Sequence, residues 1–207
     1  FSRRQTLDPR PTDVNTLIVG MTELIQRTVG PSILLKTEGA SDLWPALVDG
    51  SQLENALLNL CINARDAMPG GGRITVQTAN RTLDDESAQA LELPAGHYLC
   101  LSVADTGTGM SAEIIAKAFD PFFTTKPLGQ GTGLGLSMIY GFTKQSGGQV
   151  RAHSQVGQGT TMSIYLPRYH SQAPQNHDDT LSTSNAVTAV GETVLIVDDE
   201  PTVRLLL

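Results

Sequence analysis

Asn59, Asn63 and Asp66 recur at i, i+4 and i+7, so they share one face of any helix that contains them. Such a stripe reads either as a solvated polar face or as a ligand set. Solvated faces usually carry Lys and Glu. Two carboxamides instead offer the hard oxygens that suit Mg²⁺, a cation that takes few protein ligands and keeps phosphates and waters as the rest. Asp105-Thr106-Gly107-Thr108-Gly109-Met110 follows an apolar run. It is either a plain turn or a carboxylate set to accept from an exocyclic amine, beside glycines that let a planar base approach the backbone.

A third stretch, Gly129-Gln130-Gly131-Thr132-Gly133-Leu134-Gly135-Leu136-Ser137, places four glycines at alternate positions running into a helical pattern. Glycine-rich backbone at a helix start presents several N–H groups and the positive end of the helix dipole, which suits phosphate. A P-loop needs Lys after its last glycine, and Leu136 stands there. A dinucleotide fingerprint needs a preceding strand and an acidic residue about 20 positions on, within a βαβ unit. An irregular stretch precedes and a hairpin pattern follows, so a phosphate cradle of another kind is left. Just upstream, Phe119-Asp120-Pro121-Phe122-Phe123-Thr124-Thr125-Lys126 holds three of the chain's five phenylalanines. These either plug a core or hinge a mobile lid, with Lys126 a flexible point charge able to reach a phosphate.

The elements that position these residues follow from periodicity. Val14, Leu17, Ile18, Met21, Leu24 and Ile25 predict an amphipathic helix, capped by Thr12 or Asp13 and ended by Gly30-Pro31. Ile33–Thr37 and Trp44–Val48 read as short strands. Ser51–Met68 is a helix with Leu53, Leu57, Leu60 and Ala64 on its apolar face, closed by Pro69 and three glycines. Strands are expected at Arg73–Asn80 and His97–Ala104, and a short helix at Ser111–Ala118. Phe119–Thr132 has no periodicity, and a stretch that long in a compact domain is functional or mobile. A helix over Gly133–Ser146 precedes two strands, Gly148–Ser154 and Thr160–Leu166, joined by Gly157-Gln158-Gly159 as a hairpin.

The flanks differ from this middle. Phe1–Pro11 is polar and basic (Arg3, Arg4, Arg10), and its prolines stop a helix. Arg168–Gly191 is rich in Ser, Thr, Asn, Gln, His and Asp and reads as a linker. Thr193–Val197 is an apolar run followed by Asp198, Asp199, Glu200 and Pro201, the pattern of a first strand of another domain. The order of elements predicts an α/β sandwich of the α+β class rather than a wound βαβ sheet.

Composition narrows the classes. The 207 residues include 14 Lys and Arg against 21 Asp and Glu, a net charge of −7 that argues against nucleic acid as a partner. Apolar residues at 40% fit a globular chain, and no apolar run reaches the roughly 20 residues of a membrane-spanning helix. Cys61 and Cys100 both fall inside apolar patterns and read as free buried thiols in a reducing compartment. A cytoplasmic piece of a longer protein is the expectation.

Taken in this order, the motifs resemble the ATP-binding catalytic domain of sensor histidine kinases, in the superfamily shared with gyrase and the mismatch-repair ATPases. Asn59-x-x-x-Asn63-Ala64-Arg65-Asp66-Ala67 looks like the N box, and Asp105-x-Gly107-x-Gly109 like the G1 box. Phe119–Phe123 looks like the F box, Gly131-Thr132-Gly133-Leu134-Gly135 like the G2 box, and Gly157-x-Gly159-Thr160 like the last glycine box. The resemblance covers about residues 13 to 167.

It implies a two-layer sandwich (the Bergerat-type ATP-binding fold), a mixed sheet covered on one face by helices, with a mobile ATP lid. By that resemblance Asn63 ligates Mg²⁺ with Asn59 in support, Asp105 reads the adenine amine, and Thr160 lies behind the adenine. Gly107, Gly109 and Asp66 belong to the same nucleotide site. Gly131 to Gly135, including Thr132 and Leu134, meets the phosphates, with Lys126 beside it. Hydrolytic members carry a glutamate base four residues before the metal-binding asparagine, and Asn59 stands there. An amide cannot take a proton from water, which favours transfer to a supplied nucleophile.

The flanks fit a hybrid kinase. Residues 1–12 resemble the end of a dimerisation and phosphotransfer hairpin, 13–168 the catalytic domain, and 169–191 a linker. Residues 192–207 resemble the start of a response-regulator receiver, whose Asp198 and Asp199 would belong to an incomplete Mg²⁺ site. The expected partners are that hairpin, a receiver domain and, in the parent, a second copy. None of His97, His153, His170 or His177 has the sequence context of the phosphoaccepting histidine, so the acceptor lies outside this chain. A hydrolytic ATPase and a non-catalytic nucleotide sensor are the rival readings.

Overall fold

A computed structural model describes residues 8–127 and 131–170. The expected hairpin end at Phe1–Gln5, the strand Thr193–Val197, the pair Asp198-Asp199, and Gly129 with Gln130 lie outside the described residues, as does the linker beyond residue 170.

The chain opens with β1 (Arg10–Thr12) and α1 (Val14–Val29). Asp13 caps α1, its carboxylate accepting from the N–H groups of Asn15 and Thr16. Val14, Ile18, Met21, Ile25 and Val29 form its buried stripe. β2 (Ile33–Glu38) and β3 (Ala46–Val48) follow, then α2 (Gly50–Asp66). Asp49 caps α2 through the N–H of Gln52, and the leucine face foreseen from spacing is buried. β4 (Gly72–Leu83), α3 (Asp85–Leu91) and β5 (Gly96–Asp105) come next, followed by α4 (Ala112–Lys117). α5 (Gly135–Gln145), β6 (Gln149–Gln155) and β7 (Gly159–Pro167) complete the fold.

Five strands form one mixed sheet in the order β2-β4-β5-β7-β6. β2 runs parallel to β4, with Ile33 opposite Gly72, and the other pairs are antiparallel. Strand alternation sends Ile74, Val76, Leu99, Leu101, Val103, Ile164 and Leu166 to one face, where they pack with α1, α2 and α5 in a single core. Truncating Leu57 or Leu101, each fully buried, to alanine would cost about 2–5 kcal/mol. Among the described residues the opposite face is covered by a helix at one end, where Ala88 and Leu91 of α3 pack on Leu83, Tyr98 and Tyr165. This is the two-layer sandwich expected, with one added helix.

Three local features differ from the periodicity reading. β1 occupies part of the segment read as a helix stop, because Arg10–Thr12 pairs antiparallel with β3 in a separate two-stranded sheet, bridged at Ala46 to Arg168 just after β7. α3 was not foreseen; Asp84 caps it and Glu92 ends it in the left-handed region at φ 55°. β3 starts at Ala46 rather than Trp44, whose N–H goes to the Asn80 side chain instead of a strand partner. Both cysteines are free and buried as expected, and burial pushes the Cys61 thiol up to about 12.

Candidate functional site

The last turns of α2, the loop after β5, the β6–β7 turn and the stretch leading to α5 carry the motif residues. Asn59 and Asn63 lie one turn apart on α2, half-buried, on the side away from Leu53 and Leu57. Among the described residues neither carboxamide hydrogen-bonds to a protein side chain or backbone group. Two carboxamides one turn apart, with oxygens unclaimed by described donors, could serve as ligands to an oxygen-seeking cation.

Asp66 ends α2 and is fully engaged. Its Oδ1 accepts from Arg65 Nε at 2.9 Å and Nη2 at 2.7 Å, and its Oδ2 accepts from Lys126 Nζ. Arg65 is itself anchored, donating to the Thr28 carbonyl at 3.1 Å at the end of α1. Partial burial pushes the Asp66 carboxyl up, but the hydrogen bonds from Lys126 and Arg65 outweigh it and hold the group below its ordinary 3.8.

Asp105 ends β5. Its Oδ1 accepts from the N–H of Gly107 at 2.8 Å and of Thr160 at 3.2 Å, while Oδ2 has no protein donor among the described residues. Burial raises this carboxyl above 3.8 although the two N–H groups pull it down. The arrangement fixes the carboxylate's plane and leaves one oxygen open to a donor. Gly109 closes the loop against the hairpin at φ +66°, where an added Cβ would lie 2.0 Å from the Gln155 carbonyl oxygen. Only glycine fits that approach. Ser154, which sequence reasoning missed, ties the same corner: its Oγ accepts from Met110 N–H at 2.8 Å and lies 2.8 Å from Thr160 Oγ1. A serine among strand residues facing a glycine turn was its only signal.

The phenylalanine cluster divides. Phe119 packs on the core and meets the Tyr140 ring at 5.9 Å, whereas Phe122 is 74% exposed with φ +66°. The core-plug reading therefore holds for Phe119 and fails for Phe122. Gly133, at φ +65°, lies so close to the Phe122 backbone that a Cβ would come within 2.3 Å of its carbonyl carbon. Thr132 Oγ1 accepts from Leu134 N–H at 3.3 Å, and α5 then begins with no side-chain cap, leaving its first-turn N–H groups available to an anion. Gly131 abuts Lys126, since an added Cβ would sit 3.2 Å from Lys126 Cδ.

The structure thus joins Asp66 at the end of α2 to Lys126, and Lys126 to Gly131, and it joins Asp105 to Thr160 and Gly107. Amide oxygens, a single open carboxylate oxygen and an uncapped helix start can hold a hard cation, an amine donor and an anion in turn. Among the described residues no helix is long and apolar enough to cross a membrane, and no cluster of three His, Cys, Asp or Glu could hold a metal.

This fold and site define a class. Residues 48–170 match the family of histidine kinase-, DNA gyrase B-, and HSP90-like ATPases, and the chain belongs to it, carrying the ATP-binding catalytic domain in the form found in sensor histidine kinases. Among its relatives, sensor kinase CckA of Brucella abortus (strain 2308) is 43% identical over 211 residues, covering 99% of this chain and 22% of that protein. Sensor histidine kinase ZraS of Escherichia coli (strain K12) is 32% identical over 156 residues, covering 75% of this chain and 30% of that protein. The chain therefore spans less than a third of either relative. Full-length ShkA, solved in complex with AMPPNP, superposes with a TM-score of 0.64 at 26% identity, over 81% of this chain and 33% of that one. The nucleotide-free catalytic domain of histidine kinase ThkA shares the fold, with a TM-score of 0.58 over 78% of this chain and 97% of its own.

Proposed function

We propose that this domain supplies the γ-phosphate of Mg·ATP to a histidine on a helical hairpin, as the catalytic core of a hybrid sensor kinase. Asp105 Oδ2 accepts from the adenine amine, with Gly107 and Gly109 giving the base room and Thr160 holding the carboxylate from behind. Asn63 ligates Mg²⁺ with Asn59 in support; the ion, when bound, neutralises charge on the phosphate oxygens. The N–H groups of Gly131, Gly133 and Gly135 meet the phosphates, with Leu134, whose N–H exchanges Thr132 Oγ1 for phosphate, and Lys126 supplies a positive charge at the terminal one. Catalysis is then positioning and electrostatics.

The observation that carries transfer over hydrolysis concerns α2. Asn59 cannot serve as a base, and the nearby carboxylate, Asp66, is held ionised by two cations that occupy both its oxygens. A carboxylate so stabilised is a poor proton acceptor. The domain alone should bind Mg·ATP and release negligible inorganic phosphate; steady phosphate release would favour the hydrolytic reading.

By the same resemblance, residues 1–12 lead from the hairpin, 169–191 are a linker, and 192–207 begin a receiver with Asp198 and Asp199 at its Mg²⁺ site. The ligand assignments deepen the ATP-binding class into a mechanism, and the partners are a hairpin and a receiver within a homodimeric parent, soluble or membrane-anchored, whose catalytic domain lies in the cytoplasm.

A further inference from the structure

We infer that Asp66 is a positioning residue that acts on the nucleotide only through Lys126, fixing the lysine ammonium where the terminal phosphate of ATP will lie. The inference rests on assigning the site described above to Mg·ATP. Lys126 and Asp66 are 60 residues apart in sequence, and their contact ties the segment after the phenylalanine cluster to the end of α2. Their side chains are about one-third exposed, at 32% and 29%, so the pair lies at the surface, where a solute can reach it, rather than in the core.

Asp66 is well placed for this. Arg65 holds Oδ1 with two donors and is itself tied to the Thr28 carbonyl, so the carboxylate cannot swing. That leaves Oδ2 for Lys126. A lysine side chain is flexible, and ordering it at the moment of binding costs entropy that a pre-formed contact avoids. An ammonium has three N–H donors, so it can keep Asp66 and still donate to a phosphate. Lys126 also lies against Gly131, the first of the residues whose N–H groups are assigned to phosphate. Asp66 lies one turn beyond Asn63 on α2, so the residue that holds Lys126 is on the same helix as the proposed Mg²⁺ ligand. As an anion, Asp66 has no favourable contact of its own with the phosphates; its effect must travel through the lysine.

The test is calorimetric titration of the chain with Mg·ATP and with Mg·ADP, in the wild type, Asp66→Asn, Lys126→Gln and the double variant. Lys126→Gln should lower ATP affinity about tenfold and ADP affinity much less. Asp66→Asn should lower ATP affinity about three- to fivefold, again sparing ADP. The double variant should match Lys126→Gln alone, and Asp66→Glu should recover most of the ATP preference. Multiplying effects in the double variant, or an equal loss of ATP and ADP in Asp66→Asn, overturns the positioning role. If the wild type binds neither nucleotide, the ATP assignment itself fails, a distinct outcome.

Discussion

The N–H of Thr160 donates to Oδ1 of Asp105 at 3.2 Å, so the turn between β6 and β7 holds the carboxylate that ends β5. The last glycine box and the first are in this way one unit. The carboxylate keeps Oδ2 open only because Gly107 and Thr160 share Oδ1.

Nucleotide affinity should fall in acid as Asp105 takes up its proton. Its carboxyl titrates above 3.8, burial being the main cause, and the protonated form loses an acceptor for the adenine amine. Asp105→Asn should bind more weakly and lose this acid limb. For folding the sign is opposite to that of a paired carboxylate. A raised native value means that Asp105 stabilises most below its unfolded pKa, and that this contribution is lost as pH rises through the native one. Melting curves at pH 4 and pH 7 should therefore show Asp105→Asn gaining on the wild type at the higher pH.

Asn63→Ala should remove Mg²⁺-dependent binding. The expected result is a loss of tenfold or more in affinity for Mg·ATP, with metal-free ATP binding nearly unchanged, read by titration with and without a chelator. Equal Mg·ATP affinity in the variant would sink the metal assignment.

Gly109→Ala tests the corner geometrically. The positive φ and the 2.0 Å approach to the Gln155 carbonyl predict a loss of about 1–3 kcal/mol in unfolding free energy, measured by urea denaturation. A stability change within about 0.5 kcal/mol would mean that the loop relaxes without strain.

What the sequence discloses depends on whether the signal is local. α2 was legible because Leu53, Leu57, Leu60 and Ala64 follow the helical period and Pro69 with its glycines ends it. The β6–β7 hairpin was legible from Gly157-Gln158-Gly159. β1 was not, since Arg10-Pro11-Thr12 has no alternation and becomes a strand only by pairing with β3. α3 buries just Ala88, too little for a stripe, although Asp84 followed by Asp85 and Glu86 was a start signal that could have been read. The site residues on α2 and after β5 came from residue type and spacing. Two facts did not: that Asp66 is occupied by Arg65 and Lys126, and that Phe122 faces outward. Each is set by contacts between distant parts of the chain, which periodicity does not encode.

The central claim is transfer of phosphate to a histidine supplied from outside the domain. The most direct measurement combines the chain with γ-labelled ATP, Mg²⁺ and a separately made dimerisation hairpin from a closely similar kinase, and follows the label. Label on the hairpin, stable to alkali and lost in acid, is the expected result. Label released as free phosphate at a rate independent of the hairpin would contradict it.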